Sequence, residues 1–272
     1  MLNFNNLEIA FKDKSKKDLN RAFILFKTLD NKILYHILLS FLRIALFLRI
    51  PITYIIKSTV YKHFCGGITI KDSEKTIKKL WKSNIGTILD FSAEGKEKDT
   101  DFKKVMYETL ECIREAKRKK SIPFAVFKPT GLVEFHILEK INNNTSLNKK
   151  DAIKKELFLK RIYHICESAA KNKVPVFIDA EESWIQDAID GIALDMMRRF
   201  NKKDVWIFNT IQLYRKDRID YLKEIIKKAE KDKFLLGLKL VRGAYYEKEN
   251  QRAIERNYPS PVHQSKEKTD RD

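Results

Sequence analysis

Five short apolar segments recur from residue 85 onward and constrain the fold more than any other feature of the sequence. They are IGTILDFS (85–92), PFAVFKPT (123–130), VPVFIDA (174–180), DVWIFNTIQ (204–212) and LLGLKLVRGAY (235–245). Strands that are apolar on both faces are typical of a parallel sheet that helices cover on both sides. The segments therefore predict an α/β fold in which strands and helices alternate.

Amphipathic helices are predicted between these strands and also before the first of them. Four segments between the strands have apolar residues at helical spacing, namely 101–119, 151–170, 182–200 and 217–231. Earlier in the chain the same spacing predicts helices over 18–29, 33–49 and 76–82. We therefore expect a helical N-terminal arm at 1–84 and a strand–helix domain at 85–272.

The number of strand–helix units leaves two architectures open. A (β/α)8 barrel typically needs about 250 residues, and each unit here occupies roughly 35–40 residues. The residues after 84 hold about five such units. Both an open five-stranded sheet and an incomplete (β/α)8 TIM-type barrel satisfy this count, and the length does not decide between them.

The net charge of +18, from 55 Lys and Arg against 37 Asp and Glu, is compatible with several partners. A basic chain can bind nucleic acid or an anionic membrane, or simply have a lysine-rich surface. The sequence contains no zinc-finger spacing and no aromatic RNA-binding strand. We therefore expect no nucleic-acid partner.

The N-terminal part of the sequence bears on the location of the chain. Glu8, Asp13 and Asp18 argue against a secretory signal or a mitochondrial transit peptide. The most apolar region, 33–56, is interrupted by two arginines and a proline. It predicts a buried helix, or one that dips into a membrane surface, rather than a spanning helix.

The three cysteines, Cys65, Cys112 and Cys166, are odd in number and widely spaced. This pattern disfavours a disulfide framework or a zinc ribbon and favours a reducing compartment with buried, inert thiols. No two histidines have the spacing of a metal site, so we expect no metal.

Polar residues follow every predicted strand. The first strand ends at Asp90 and Glu94, the second at Lys128 and Thr130, the third at Asp179, Glu181 and Glu182, the fourth at Asn209, Thr210 and Gln212, and the fifth at Lys239, Arg242, Gly243 and Tyr245. Taken singly, each could be a helix cap, a solvated lysine or a packed tyrosine. Ligands bind beyond the carboxyl ends of parallel strands, so five polar ends in succession favour one shared site.

The residue types at these ends also suggest a chemistry. The sequence lacks a dinucleotide-binding glycine pattern, a phosphate-binding loop and a serine nucleophile motif. Lysine, arginine and glutamine prevail instead. Such a site suits an anionic ligand or an electron-rich cofactor ring that oriented donors stabilise.

The segment KLVRGAYYEKE (239–249) resembles the signature of the proline dehydrogenase family. Further segments resemble that family in the same order: FCGGITI (64–70), TILDFSAEGKE (87–97), FAVFKPTGL (124–132), VFIDAEESWIQDAID (176–190), FNTIQLYRKDR (208–218) and PSPVHQSKEKTDRD (259–272). The resemblance covers essentially the whole chain, and its motifs are dispersed over five strands.

The resemblance implies a (β/α)8 barrel that follows a helical arm and holds FAD in its mouth. The implied reaction oxidises L-proline to 1-pyrroline-5-carboxylate by hydride transfer from proline C5 to flavin N5. Electrons would then pass to a membrane quinone. The implied location is the bacterial cytoplasm, peripherally at the inner face of the membrane. The oligomeric state is left open.

The resemblance also assigns residues. Asp179 would be an active-site carboxylate, and Lys239 would lie beside flavin N5, where other family members have arginine. Lys128 would lie near the substrate carboxylate and Tyr245 near the proline ring. The implied cofactor contacts are Ala180, Gln212, Lys239, Arg242, Gly243 and Ala244, with Gln212 bonded to the isoalloxazine ring.

One departure from the family is large. The family continues with three more strands and a final helix whose arginine pair binds the substrate carboxylate, and these do not occur here. We therefore expect this polypeptide by itself to bind FAD poorly, to be inactive and to aggregate through its sheet edges. Two alternatives remain: another barrel enzyme with a phosphorylated substrate, and a basic module that binds membranes or nucleic acid.

Overall fold

A computed structural model of the chain describes residues 5–91 and 97–272. The chain divides into two compact units, Met1–Ile85 and Gly86–Asp272. The first unit is helical and the second contains the parallel sheet.

The N-terminal unit consists of helices with polar caps. Its helices are α1 (Leu7–Ala10), α2 (Lys16–Asp30), α3 (Lys32–Phe47), α4 (Thr53–Ile56), a π-helical turn (Lys57–Tyr61), α5 (Lys62–Phe64) and α6 (Ile70–Trp81). Ser15, Asn31 and Thr69 begin α2, α3 and α6, and each side-chain oxygen accepts a hydrogen bond from a backbone N–H of the first turn. α6 begins six residues before its predicted start, because the Thr69 cap fixes the helix ahead of its apolar stripe.

The apolar region around α3 is not buried. Only Ala45 of α3 is buried, whereas Ile33 and Phe47 are 75% and 86% exposed. The first alternative, a buried helix, is therefore wrong for α3, and the second, a helix that dips into a membrane surface, stays a prediction. Within the described residues, no helix is long and apolar enough to span a bilayer.

The C-terminal unit is built on five parallel strands in sequence order. They are β1 (Ile88–Leu89), β2 (Phe124–Phe127), β3 (Val176–Ile178), β4 (Ile207–Gln212) and β5 (Leu238–Val241). A doubly wound open sheet reverses its strand order at a switch point, whereas barrel strands follow one another. The observed order is that of five consecutive units of a barrel-type sheet, which confirms the predicted fold class.

Helices follow the strands, and those before β5 connect consecutive strands and cover one face of the sheet. They are α7 (Asp99–Arg118), α8 (Phe135–Asn142), α9 (Lys149–Asn172), α10 (Ser183–Phe200), α11 (Arg218–Asp232), α12 (Tyr246–Glu255) and α13 (Lys266–Arg271). The four predicted connecting helices agree with α7, α9, α10 and α11 within two residues. α8, α12 and α13 were not predicted, because a helix of ten residues or fewer is too short for a clear apolar stripe.

An aromatic floor, defined here as Phe124, Phe177 and Phe208, lies on the sheet face opposite the covering helices. The Phe124 and Phe177 rings stack with their centroids 4.5 Å apart, and Phe208 meets both rings edge-on at 5.6 Å and 5.5 Å. Because side chains alternate along a strand, Asp179 and Thr210 lie two residues beyond the floor on the same face.

The cysteines differ in exposure. Cys112 and Cys166 are buried free thiols, as predicted, and burial raises the pKa of Cys112 to about 12. Cys65 is exposed, so the prediction of a buried thiol is wrong there. It follows α5, which is too short to bury its C-terminal neighbour.

We predict that Asn201 is essential for stability. Its buried side chain donates to the carbonyls of Ile207 and Leu235 at 2.8 Å and 3.1 Å, and accepts from the N–H groups of Trp206 and Ile207, both at 3.0 Å. Asn201→Ala leaves these backbone groups buried without a partner. The free energy of unfolding in urea should fall by at least about 3 kcal/mol. The control Asn143→Ala, at an exposed position after α8, should change it by less than about 1 kcal/mol. Equal effects of the two variants would contradict the prediction.

Candidate active site

The sheet register brings Asp179 and Lys239 together. Asp179 follows β3, and Lys239 is paired with Thr210 of β4 in the sheet. The Lys239 Nζ donates to the Asp179 carboxylate, and the Thr210 hydroxyl donates to the same carboxylate at 3.4 Å. The Lys239 Nζ also lies 5.1 Å from the centroid of the Phe177 ring. The two predicted catalytic residues thus form an ion pair over the aromatic floor, where both remain partly exposed.

Glu181 is buried at the centre of the strand ends and is 3% exposed. Its carboxylate accepts hydrogen bonds from the N–H of Thr130 at 2.9 Å and from the Thr130 hydroxyl. Burial raises the pKa of Glu181 to about 7, although the two bonds from Thr130 oppose the rise. Of the nearby charges, Glu182 raises this pKa further and Lys128 lowers it.

Gln212 connects the end of β3 to the loop after β5. Its Nε2 donates to the carbonyl of Glu181 at 2.8 Å, and its Oε1 accepts from the N–H of Ala244 at 3.0 Å. A primary amide can make two donor and two acceptor bonds. Among the described residues Gln212 makes one of each, so it can still donate one bond and accept one from a ligand.

Gly243 adopts φ +135°, a conformation that favours glycine. A Cβ atom built there would lie 2.4 Å from Cδ1 of the Tyr214 ring. The family resemblance implies that Gly243 contacts the cofactor. On the side where its side chain would stand, however, Tyr214 fills the space.

The remaining predicted residues are placed differently. Ala180 is buried directly after Asp179, and Lys128 is half-buried at the end of β2. The Arg242 side chain is 67% exposed, and its Nε donates to Asp270 of α13 at 2.5 Å. Asp270 therefore holds Arg242 at the surface, away from the Asp179–Lys239 pair.

The other predicted positions follow the two edge strands, β5 and β1. Tyr245 is half-buried immediately before α12, with the Lys248 Nζ 5.9 Å from its ring centroid. At the other end, Asp90 is exposed after β1, and Glu94 lies outside the described residues.

Glu249 is a buried residue that the sequence did not reveal. Its Oε1 accepts from the N–H of Ser183 at 2.7 Å and its Oε2 from the Ser183 hydroxyl at 2.6 Å. This contact joins α12 to the start of α10, and the Lys248–Glu182 ion pair runs beside it. Apolar periodicity cannot detect a contact between residues 66 positions apart, so a glutamate in a polar segment gave no signal.

A further buried carboxylate supports the site from the helix side. Asp190 of α10 accepts from Gln186 at 2.7 Å, from Asn209 at 2.8 Å and from Arg218 at 2.7 Å. Gln186 in turn accepts from the N–H of Glu181 at 2.7 Å. A continuous series of hydrogen bonds therefore runs from the start of α11 to the strand ends.

The sheet order defines a TIM-barrel-like α/β protein, and the polar carboxyl ends of its strands are the candidate site. Comparison with known families gives a narrower assignment. The family model "Proline dehydrogenase" matches residues 73–272, and the chain belongs to the proline dehydrogenase family.

Two curated relatives are similar to most of this chain. The "Carbapenem antibiotics biosynthesis protein CarD" of Pectobacterium carotovorum subsp. carotovorum is 35% identical over 192 residues, which cover 71% of this chain and 51% of that protein. "Proline dehydrogenase 1, mitochondrial" of Dictyostelium discoideum is 30% identical over 251 residues, covering 78% and 44%. The chain spans about half the length of these curated relatives.

A solved structure supports the fold. Proline utilization A from Bdellovibrio bacteriovorus, inactivated by N-propargylglycine, superposes with a TM-score of 0.65 at 19% identity. The match covers 77% of this chain and 23% of that one. The family resemblance and the fold class predicted from the sequence are thus confirmed.

The raised pKa of Glu181 predicts a pH-dependent stability. The folded carboxyl keeps its proton up to about pH 7, whereas an unfolded one loses it near its usual pKa of 4.5. The folded state therefore binds more protons in this interval, and the unfolding free energy should fall as pH rises through it. Against Glu181→Gln, which does not titrate, wild type should lose about 3 kcal/mol between pH 4.5 and 7. A difference that does not vary with pH would refute this.

Proposed function

We propose that these strand ends form the site of an FAD-dependent proline dehydrogenase, which oxidises L-proline to 1-pyrroline-5-carboxylate. The observation that carries the proposal is the Asp179–Lys239 ion pair over the aromatic floor, in a chain of the proline dehydrogenase family. The proposed electron acceptor is a membrane quinone. The proposed location is the cytoplasm, at the inner face of a bacterial membrane.

The chain's own residues fit a flavin in part. Lys239 presents an ammonium group beside the Phe177 ring, and the buried Gln212 amide lies between Glu181 and Ala244 with one donor and one acceptor position unused among the described residues. FAD, when bound, would accept the hydride that leaves proline C5. The proposed cofactor contacts are Ala180, Gln212, Lys239, Arg242, Gly243 and Ala244. Arg242 fits least well, because Asp270 holds it at the surface.

Asp179 and Lys239 have complementary roles in this proposal. A carboxylate that accepts from Lys239 and Thr210 fixes the ammonium in one position over Phe177. A fixed cation stabilises negative charge that develops nearby without reorganising during the reaction. The lysine ammonium is a compact charge, whereas the arginine guanidinium is a planar group that can form two parallel hydrogen bonds.

Lys128 and Tyr245 are proposed to receive the substrate. Lys128 extends from the end of β2 and would attract the proline carboxylate, while Tyr245 would pack on the pyrrolidine ring. The oxidation removes a hydride from C5 and a proton from the ring nitrogen, so the carboxylate takes no part in bond changes. Its recognition therefore affects substrate affinity more than the chemical step.

A role in making an antibiotic is a second candidate, favoured by the 35% identity with the CarD protein over 192 residues. A strain with the gene deleted discriminates between the two candidates. Loss of growth on proline as the nitrogen source favours catabolism, whereas loss of a carbapenem-type product with normal growth favours biosynthesis.

We predict weak flavin binding by the polypeptide of these 272 residues. β1 and β5 are the two edge strands of the sheet and do not pair with each other among the described residues. The described residues can therefore contact a bound ligand from only some sides. Titration with FAD, followed by flavin fluorescence, should reveal binding weaker than about 1 μM. Anaerobic L-proline should bleach the flavin of a completed chain, which also carries the three further strands and the final helix of the family, but not that of these 272 residues by themselves. A completed chain that never binds FAD, or whose bound flavin proline does not bleach, would refute the proposal.

Lys239→Met tests the cation. In a completed version of the chain, removing the ammonium should slow proline-dependent flavin reduction by at least about tenfold, a barrier increase of about 1.4 kcal/mol. The unfolding free energy should change by less than about 1 kcal/mol, because Lys239 is partly exposed. Lys203→Met is the matched control, since Lys203 is exposed in the loop before β4. If Lys239→Met reduces flavin as fast as Lys203→Met does, Lys239 does not belong to the site.

A further inference from the structure

Glu181 makes hydrogen bonds to three neighbouring elements of the site. Its carboxylate binds Thr130 after β2, its N–H donates to Gln186 of α10, and its carbonyl accepts from Gln212 of β4. Gln212 extends the connection to Ala244 after β5. One residue thus joins the carboxyl ends of β2, β3 and β4 to the loop that carries Tyr245.

Thr130 belongs to a short rigid turn that begins at Lys128. The 3₁₀ turn Pro129–Gly131 is closed by bonds from Gly131 N–H to the Lys128 carbonyl at 3.0 Å and from Leu132 N–H to the Pro129 carbonyl at 2.9 Å. Proline fixes one backbone angle of this turn. A clamp on both the N–H and the hydroxyl of Thr130 therefore also fixes where the Lys128 side chain leaves the backbone.

The contacts of Glu181 exclude a role as general base. A base must reach the proton that it removes. Both carboxylate oxygens of Glu181 are bonded to Thr130, and the residue is almost entirely buried. Its contribution must pass through the groups that it holds.

We propose that Glu181 is a positioning residue, which clamps the Thr130 turn so that Lys128 meets the carboxylate of the substrate. The proposal rests on the proposed function for the identity of the substrate. The proposal predicts that loss of the clamp weakens the binding of ligands that carry a carboxylate. The affinity for pyrrolidine, the same ring without a carboxylate, should not change.

Two substitutions at position 181 separate geometry from charge. The amide of Glu181→Gln can accept from the Thr130 N–H and donate to the Thr130 hydroxyl oxygen, so the clamp remains without its charge. Glu181→Ala removes both bonds. Thr109→Val is the matched control, because the Thr109 hydroxyl is buried and, among the described residues, bonds the Val105 carbonyl within α7 and no other group.

The first measurement is the binding of L-proline and of pyrrolidine, which lacks the carboxylate, to a flavin-loaded completed chain that also carries the three further strands and the final helix of the family. Glu181→Ala should raise the KM for proline at least tenfold, change kcat less than threefold and leave the dissociation constant of pyrrolidine within twofold. Glu181→Gln and Thr109→Val should keep all three values within threefold. Equal weakening of both ligands, an unchanged KM in Glu181→Ala, or a Gln variant as impaired as the Ala variant would overturn the proposal.

The second measurement needs neither flavin nor substrate. Hydrogen exchange at residues 128–133 should be at least tenfold faster in Glu181→Ala than in wild type, and unchanged in Glu181→Gln and Thr109→Val. Unchanged exchange in Glu181→Ala would overturn the clamp, even if proline oxidation is established. Faster exchange in a chain that does not oxidise proline would support the clamp and refute the proposed function alone.

Discussion

Buried carboxylates that bind the backbone of a neighbouring loop hold this site together. Glu181 fixes Thr130, and Glu249 fixes Ser183 at the start of α10. A buried charge is costly unless it is hydrogen-bonded, so each carboxylate is stable only while its partner loop stays in place. The loops that carry Lys128 and Tyr245 are therefore coupled to β3, and the geometry of the site depends on these contacts more than on the strands themselves.

The parallel register adds a second constraint. It places Thr210 beside Lys239 and sets both over the aromatic floor. A one-residue shift of β5 would turn Lys239 to the helix-covered face and break its pair with Asp179. The same register of β3, β4 and β5 therefore fixes both the aromatic floor and the position of the Asp179–Lys239 ion pair above it.

The structure shows which side chains carry the net charge of +18. Cations near the strand ends are paired, Lys239 with Asp179, Arg242 with Asp270 and Lys248 with Glu182. Among the described side chains, Arg161, Arg215 and Arg218 are buried and no lysine is. The excess positive charge is thus carried largely by surface lysines, where water and salt screen it.

The sequence by itself determined the alternation of strands and helices, the polar residues that end each strand, and the family to which the chain belongs. These follow from local periodicity and from short motifs, which need no knowledge of distant contacts. Asp179 and Lys239 were among the polar residues at the strand ends, and the family resemblance singled these two out. Only the tertiary structure decided that these two residues pair, that Glu181 and Glu249 are buried clamps, that Arg242 turns to Asp270 and that α3 keeps its apolar side chains exposed. The physical reason is that burial and side-chain pairing depend on contacts between residues tens of positions apart in the sequence. Such contacts produce no periodic pattern in the sequence.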